Sequence, residues 1–114
     1  MGLFRKARNE VTPSEAAADT GALLLDVREP AEWQAGHAPA ARHIPLGALA
    51  GRIDELPRDR TIICICRSGN RSAQATRQLG DAGYRAVNMQ GGMRAWSAAG
   101  LPMRADGSAP PAVV

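Results

Sequence analysis

Aromatic residues are nearly missing from this chain: two Trp, one Tyr and one Phe stand among 114 residues. Any core must therefore rest on Leu, Ile, Val, Ala and Met. Cysteine is just as sparse, and its two copies, Cys64 and Cys66, flank a single residue. A disulfide between such near neighbours is strained and closes almost no loop. That argues against a secreted disulfide scaffold and for a reducing compartment. The two histidines lie far from the cysteines in sequence, and no zinc-type spacing appears, so no metal site is expected. No apolar run approaches the length of a membrane span. The opening "MGLFRKARNE" has no apolar stretch of the secretory kind, and Lys6 stands where a myristoylation pattern needs Ser or Thr. Basic stripes with interleaved aromatics are absent too. The net charge of +3 and the pI near 9.5 suit small anions better than nucleic acid. The expectation is a soluble cytoplasmic protein with neither a nucleic-acid nor a membrane partner.

What is present fits one domain. The chain is long enough to bury a core without staples, and 22% charged and 45% apolar residues are ordinary for a globular protein. "TPSEAAADTG" predicts a helix: Thr12 as N-cap, Pro13 at the first position, Glu15 completing a capping box, Gly21 ending it. "ALLLDV" is a short continuous apolar run, as in a strand covered on both faces. "EPAEWQAG" predicts a short helix stopped by Gly36, and a short strand is expected around His43 and Ile44. Leu49, Ile53 and Leu56 recur at helical spacing before Pro57. Thr61–Ile65 is a β-branched run, "SAQATRQLGDAG" a helix, "YRAVNMQ" another strand and "GGMRAWSAAGLP" a last helix. Alternating strands and helices with short connections predict an α/β fold with a mostly parallel sheet flanked by helices. The expected division is a single domain over 1–103 and a flexible Ala/Pro-rich tail over 104–114.

In such sheets the ligand sits beyond the carboxyl ends of the strands. "TIICIC" ends at Cys66 and is followed by "RSGNRS". Gly69 permits a tight turn, and Ser72 opens a helix. Loop and helix N–H groups can then converge on one point, and Arg67 and Arg71 make that point electropositive. A thiol there has a lowered pKa and is a nucleophile's starting material. Cys64, between Ile63 and Ile65, reads instead as a small buried hydrophobe.

Three stretches in order then resemble the rhodanese family of sulfurtransferases. "LLDVREPAEWQAGHAPAARHIP" carries Asp26, Val27, Arg28, Glu32, Gly36, His37, Ile44 and Pro45 at the family's spacing. "CICRSGNRSAQATRQLGDAGY" resembles its strand, active loop and helix. "VNMQGGMRAW" resembles its closing motif at Gly91, Gly92, Ala95 and Trp96. The likeness spans roughly residues 10 to 103. It departs at Ala38–Ala41 and at His43, which stands where the family has Asn.

The resemblance implies a rhodanese-like three-layer fold and a thiosulfate sulfurtransferase. Cys66 would take the outer sulfur of an anionic donor such as thiosulfate and carry it as a persulfide. The loop from Arg67 through Ser68, Gly69, Asn70 and Arg71 to Ser72 would bind it. Cyanide, a thiol or a protein acceptor would remove it, with no metal and no organic cofactor. Asp26 and Arg28, at the end of the first apolar strand, could lie on the site rim; Arg28 and Glu32 could equally form an ion pair that anchors the next helix. His37 suits a turn or capping role, and the two Trp suit core or interface positions. Three rivals remain: a binding or regulatory module of the same fold, a redox sensor pairing Cys64 with Cys66, and a cysteine-dependent phosphatase. The last expects Cys, five residues, Arg. Here four residues separate Cys66 from Arg71, so the cradle is narrower.

Overall fold

The computed structural model describes residues 9–114. Its centre is one sheet of five parallel strands in the order β1-β5-β4-β2-β3. These are β1 (Glu10–Val11), β2 (Leu23–Asp26), β3 (Arg42–His43), β4 (Ile62–Ile65) and β5 (Ala86–Met89). Four helices connect them, α1 (Pro13–Ala18), α2 (Pro30–Ala35), α3 (Leu46–Arg52) and α4 (Asn70–Asp81), and a fifth, α5 (Gly92–Ala98), follows β5. The α/β architecture with a parallel sheet is the expected one. β1 was not anticipated: two residues carry no periodicity, and pairing with β5 alone defines them.

Local chemistry sets the element ends. The Thr12 hydroxyl accepts from the Glu15 N–H at 3.1 Å, and the Glu15 carboxylate accepts from the Thr12 N–H at 2.8 Å. This is the capping box expected at the start of α1. The long helical reading before Pro57 divides into α3 and a 3₁₀ turn over Ile53–Glu55. α4 begins at Asn70, two residues before the expected start, because Gly69 takes the N-cap at φ 119°. Arg71 and Ser72 therefore lie inside its first turn.

β4 is buried along its whole length, so alternate side chains feed two cores. Ile62, Cys64 and Cys66 pack with Leu25, Leu49, Ala75 and Leu79 on the α3/α4 side. Ile63 and Ile65 pack with Leu24, Met89, Met93 and Trp96 on the α1/α5 side. This is the three-layer arrangement the resemblance implied. Among the described residues no helix is long and apolar enough to cross a membrane.

Residues 104–114, expected as a flexible tail, lie against the domain: Arg104 pairs with His37, Asp106 N–H donates to Gln34 O, and Ala112 N–H donates to Ala35 O. Their main chain finds carbonyl partners at the end of α2, and Val113 packs against the α1/α5 core. One expectation is corrected here: Asp26 and Arg28 are not on a rim, since both are 0% exposed. Nor does Arg28 pair with Glu32. Its guanidinium turns inward to Asp26, with Nε 2.9 Å from Oδ1 and Nη2 2.7 Å from Oδ2. A buried guanidinium needs a carboxylate this close. Nη2 also donates to Gly36 O at 2.8 Å, which ties the end of β2 to the end of α2.

Candidate active site

β4 delivers Cys66 to the carboxyl edge of the sheet, where the chain turns into α4. The side chain continues the inward alternation of Ile62 and Cys64, and the residue is only 1% exposed. The loop curls back over it. Gly69 N–H donates to Cys66 Sγ at 3.0 Å, and Ser72 Oγ–H donates to the same sulfur at 3.2 Å. Ser72 itself is fully buried, so its hydroxyl is held in place.

Burial alone would raise the pKa of Cys66. Hydrogen bonds from the Ser72 hydroxyl and from the N–H groups of Ser72, Gly69 and Ser68 outweigh it, and the net shift is downward. Cys64 shows the contrast. Buried on the same side of the sheet, it is pushed up to about 12 by desolvation and stays an inert thiol.

The two loop arginines differ in engagement. Arg71 is clasped by Glu32, Nη1 to Oε1 at 2.7 Å and Nη2 to Oε2 at 2.9 Å. The Arg71 hydrogen bond holds Glu32 at about 2, against the opposing pull of burial. Arg71 is raised in return by Glu32, and also by the charge of Cys66, so its field still reaches the sulfur. Among the described residues Arg67 has no side-chain carboxylate partner; its Nε donates to the main-chain oxygen of Val114 at 3.1 Å. Ser68 and Asn70 face outward.

Three supports of the loop went unread from the sequence. Asn88 Nδ2 donates to Gly69 O at 3.2 Å. A polar residue in an otherwise apolar strand is the signal that points to it. Met93 N–H donates to Cys66 O at 2.8 Å, and Arg94 N–H to Arg67 O at 3.0 Å. That close approach requires Gly92, at φ 59°, where a Cβ would stand 2.5 Å from the Arg67 carbonyl carbon. The Gly91-Gly92 pair thus has a physical reason: α5 braces the strand end that bears Cys66. Both histidines stack on Trp33, His37 at 3.6 Å and His43 at 4.9 Å between ring centroids. His37 Nδ1–H donates to Trp33 O and His43 Nε2–H to Arg28 O, each at 2.7 Å. Neither hydrogen-bonds Cys66. The turn-and-capping reading of His37 agrees with this geometry.

A parallel sheet, a cysteine at a strand end and a glycine-turned loop of N–H donors make a specific combination. The family model described as rhodanese-like domain matches residues 12–99. The chain belongs to the rhodanese family. A protein of Allochromatium vinosum named sulfurtransferase is 44% identical to this rhodanese over 92 residues, covering 79% of this chain and 86% of that protein. The putative sulfurtransferase YtwF of Bacillus subtilis is 40% identical over 79 residues, covering 69% and 77%. Among solved structures, a rhodanese-related protein of Thermoplasma volcanium superposes with a TM-score of 0.81 at 31% identity, over 84% of this chain and 97% of that one.

Proposed function

We propose that this rhodanese is a sulfurtransferase that moves a sulfane sulfur through a persulfide on Cys66. The observation that carries the reading is the pair of hydrogen bonds on Cys66 Sγ, from Gly69 N–H and Ser72 Oγ–H. A sulfur so held favours its thiolate, and the same donors suit the terminal sulfur of a persulfide. The names of the two relatives point the same way.

The proposed donor is a small anion such as thiosulfate. The Cys66 thiolate attacks the outer sulfur, the S–S bond of the donor breaks, and sulfite leaves with the bonding pair. Cys66 then carries Cys–S–S⁻. A nucleophilic acceptor attacks the terminal sulfur and returns Cys66 as thiolate: cyanide leaves as thiocyanate, and a thiol leaves as its own persulfide. No electron enters or leaves the system, and no cofactor takes part. The covalent intermediate divides one transfer into two displacements. Asn70, Ser68 and Arg67 line the outer part of the loop, where donor oxygens would lie. Arg71 acts mainly by holding the loop and by its charge, because Glu32 occupies its guanidinium. That engagement also disfavours the phosphatase reading, which needs a free guanidinium to clamp phosphate.

The test is thiocyanate formation from thiosulfate and cyanide, with Cys66→Ala beside the wild type. Turnover in the wild type and none in the variant is expected. A fully active Cys66→Ala protein would remove Cys66 from the reaction. An inactive wild type that still forms a Cys66 persulfide from another donor would remove thiosulfate alone.

A further inference from the structure

The segment after α5 lies outside the matched family span, which ends at residue 99, yet its path leads to the site. Trp96 Nε1–H donates to Pro102 O at 2.8 Å and fixes where the segment leaves the domain. His37 and Arg104 then exchange N–H to C=O bonds in both directions, each at 2.8 Å. Asp106 N–H donates to Gln34 O at 3.0 Å and Ala112 N–H to Ala35 O at 2.8 Å, which satisfies carbonyls left open by the last turn of α2. Met103 and Val113 pack against the α1/α5 core. The segment ends with the Val114 oxygen on Arg67 Nε at 3.1 Å.

Two features give this path meaning. First, Arg67 directly follows Cys66 and is the loop guanidinium that, among the described residues, no side-chain carboxylate holds; Arg71 is taken by Glu32. Second, the seat is shaped for the segment. At Gly36 a Cβ would stand 2.5 Å from Ala112 O and 2.8 Å from Ala112 N. The backbone passes where any other residue would carry a side chain.

We propose that residues 104–114 form an autoinhibitory strap. Docked on Gly36, the strap occupies Arg67 and withholds that cation from an anionic substrate of Cys66. Released, it frees Arg67. The strap holds Arg67 through a single Nε hydrogen bond at an exposed position, and a donor oxyanion can take two parallel bonds from the same guanidinium. A donor dianion therefore competes with the strap for one group. The proposal rests on the reading that Cys66 reacts with an anionic donor.

Alkylation of Cys66 tests it without requiring sulfur transfer. The thiolate displaces iodide from the CH₂ carbon of iodoacetate, an anion, or of iodoacetamide, its neutral counterpart. Second-order rates for both reagents are measured on the full chain, with mass mapping to separate Cys66 from Cys64. Two variants lift the strap independently. Gly36→Ala fills its seat, and Ala112→Pro removes the N–H that binds Ala35 O. In each, the iodoacetate rate is expected to rise about threefold to tenfold relative to iodoacetamide, the size of effect expected when one guanidinium a few ångström away becomes available to pair with the anionic reagent. The rise should vanish when Arg67→Gln is added. Circular dichroism identifies a misfolded variant, and either variant alone suffices. A ratio unchanged within twofold in a folded variant overturns the proposal. So does an equal acceleration of both reagents, which would mean general cover rather than occupation of Arg67. A strap that releases Arg67 as expected while thiocyanate formation fails would leave this inference standing and overturn the sulfurtransferase reading alone.

Discussion

Glu32 and Arg71 face each other carboxylate to guanidinium, two bonds of 2.7 and 2.9 Å, and so fasten helix α2 to the first turn of α4. The pair joins residues 39 apart in sequence across the mouth of the Cys66 loop. It is half-buried, well aligned and bidentate, so it stabilises more than an exposed ion pair.

Glu32→Gln should therefore destabilise the protein by about 1–2 kcal/mol, allowing for the partial exposure of Arg71. The pH dependence has a definite sign. Glu32 titrates at about 2 in the fold, below its ordinary 4.5. A lowered carboxylate contributes stability that is fully present above its unfolded value and is lost as pH falls through the folded one. Urea midpoints of the wild type should fall between about pH 5 and pH 2, and Glu32→Gln should flatten that slope. Identical slopes would assign the acid loss to other groups.

Ser72→Ala removes the side-chain hydrogen bond on the sulfur and leaves the main-chain donors of the loop intact. The thiolate loses a donor, so the midpoint for iodoacetamide alkylation of Cys66 should move to higher pH. At pH 7 the rate should drop about fivefold, the factor that one hydrogen bond of about 1 kcal/mol commands. Ser72→Thr, which keeps the hydroxyl, should retain most of the rate. An alanine variant as fast as the wild type would leave the main-chain donors in sole charge of the thiol.

Asp26→Asn strips the charge that compensates a fully buried guanidinium. A loss of about 3–5 kcal/mol is expected, since Asp26 is the carboxylate that pairs with this buried guanidinium. Chemical denaturation measures it. A shift below 1 kcal/mol would mean that water reaches Arg28.

Gly92→Ala should be nearly as costly, about 2–4 kcal/mol, through backbone strain at φ 59° and the clash with Arg67. Because α5 braces Cys66 and Arg67 there, Cys66 reactivity should fall with it. A variant of unchanged melting temperature would show that α5 can draw back without loss.

Much of the fold was legible because it rests on short-range rules. Thr12, Pro13 and Glu15 cap a helix by contacts within one turn. The apolar runs of β2 and β4 announce strands buried on both faces. Alternation then implies parallel pairing. Cys66 was legible for the same reason, since a strand end, a glycine and a helix start are adjacent in sequence and their N–H groups must converge. The partners of the charged residues were not legible. Arg28 could reach Glu32 by spacing alone, but desolvation decided otherwise: a guanidinium buried at the end of β2 takes the carboxylate buried beside it. Glu32 was then left for Arg71, which only the packing of α2 beside the loop brings near.

The tail illustrates the same division. Ala, Pro and Gly from 104 to 114 carry no periodic pattern, so composition predicts looseness. Main-chain hydrogen bonding does not depend on side-chain pattern, and the open carbonyls of α2 supply the partners. Sequence alone determined the parallel α/β layering and the loop that curls over Cys66, because neighbours along the chain dictate them. Tertiary structure alone decided which arginine is engaged, which carboxylate is buried, and where the last eleven residues lie. Those outcomes depend on burial and on distances between segments that no local pattern encodes.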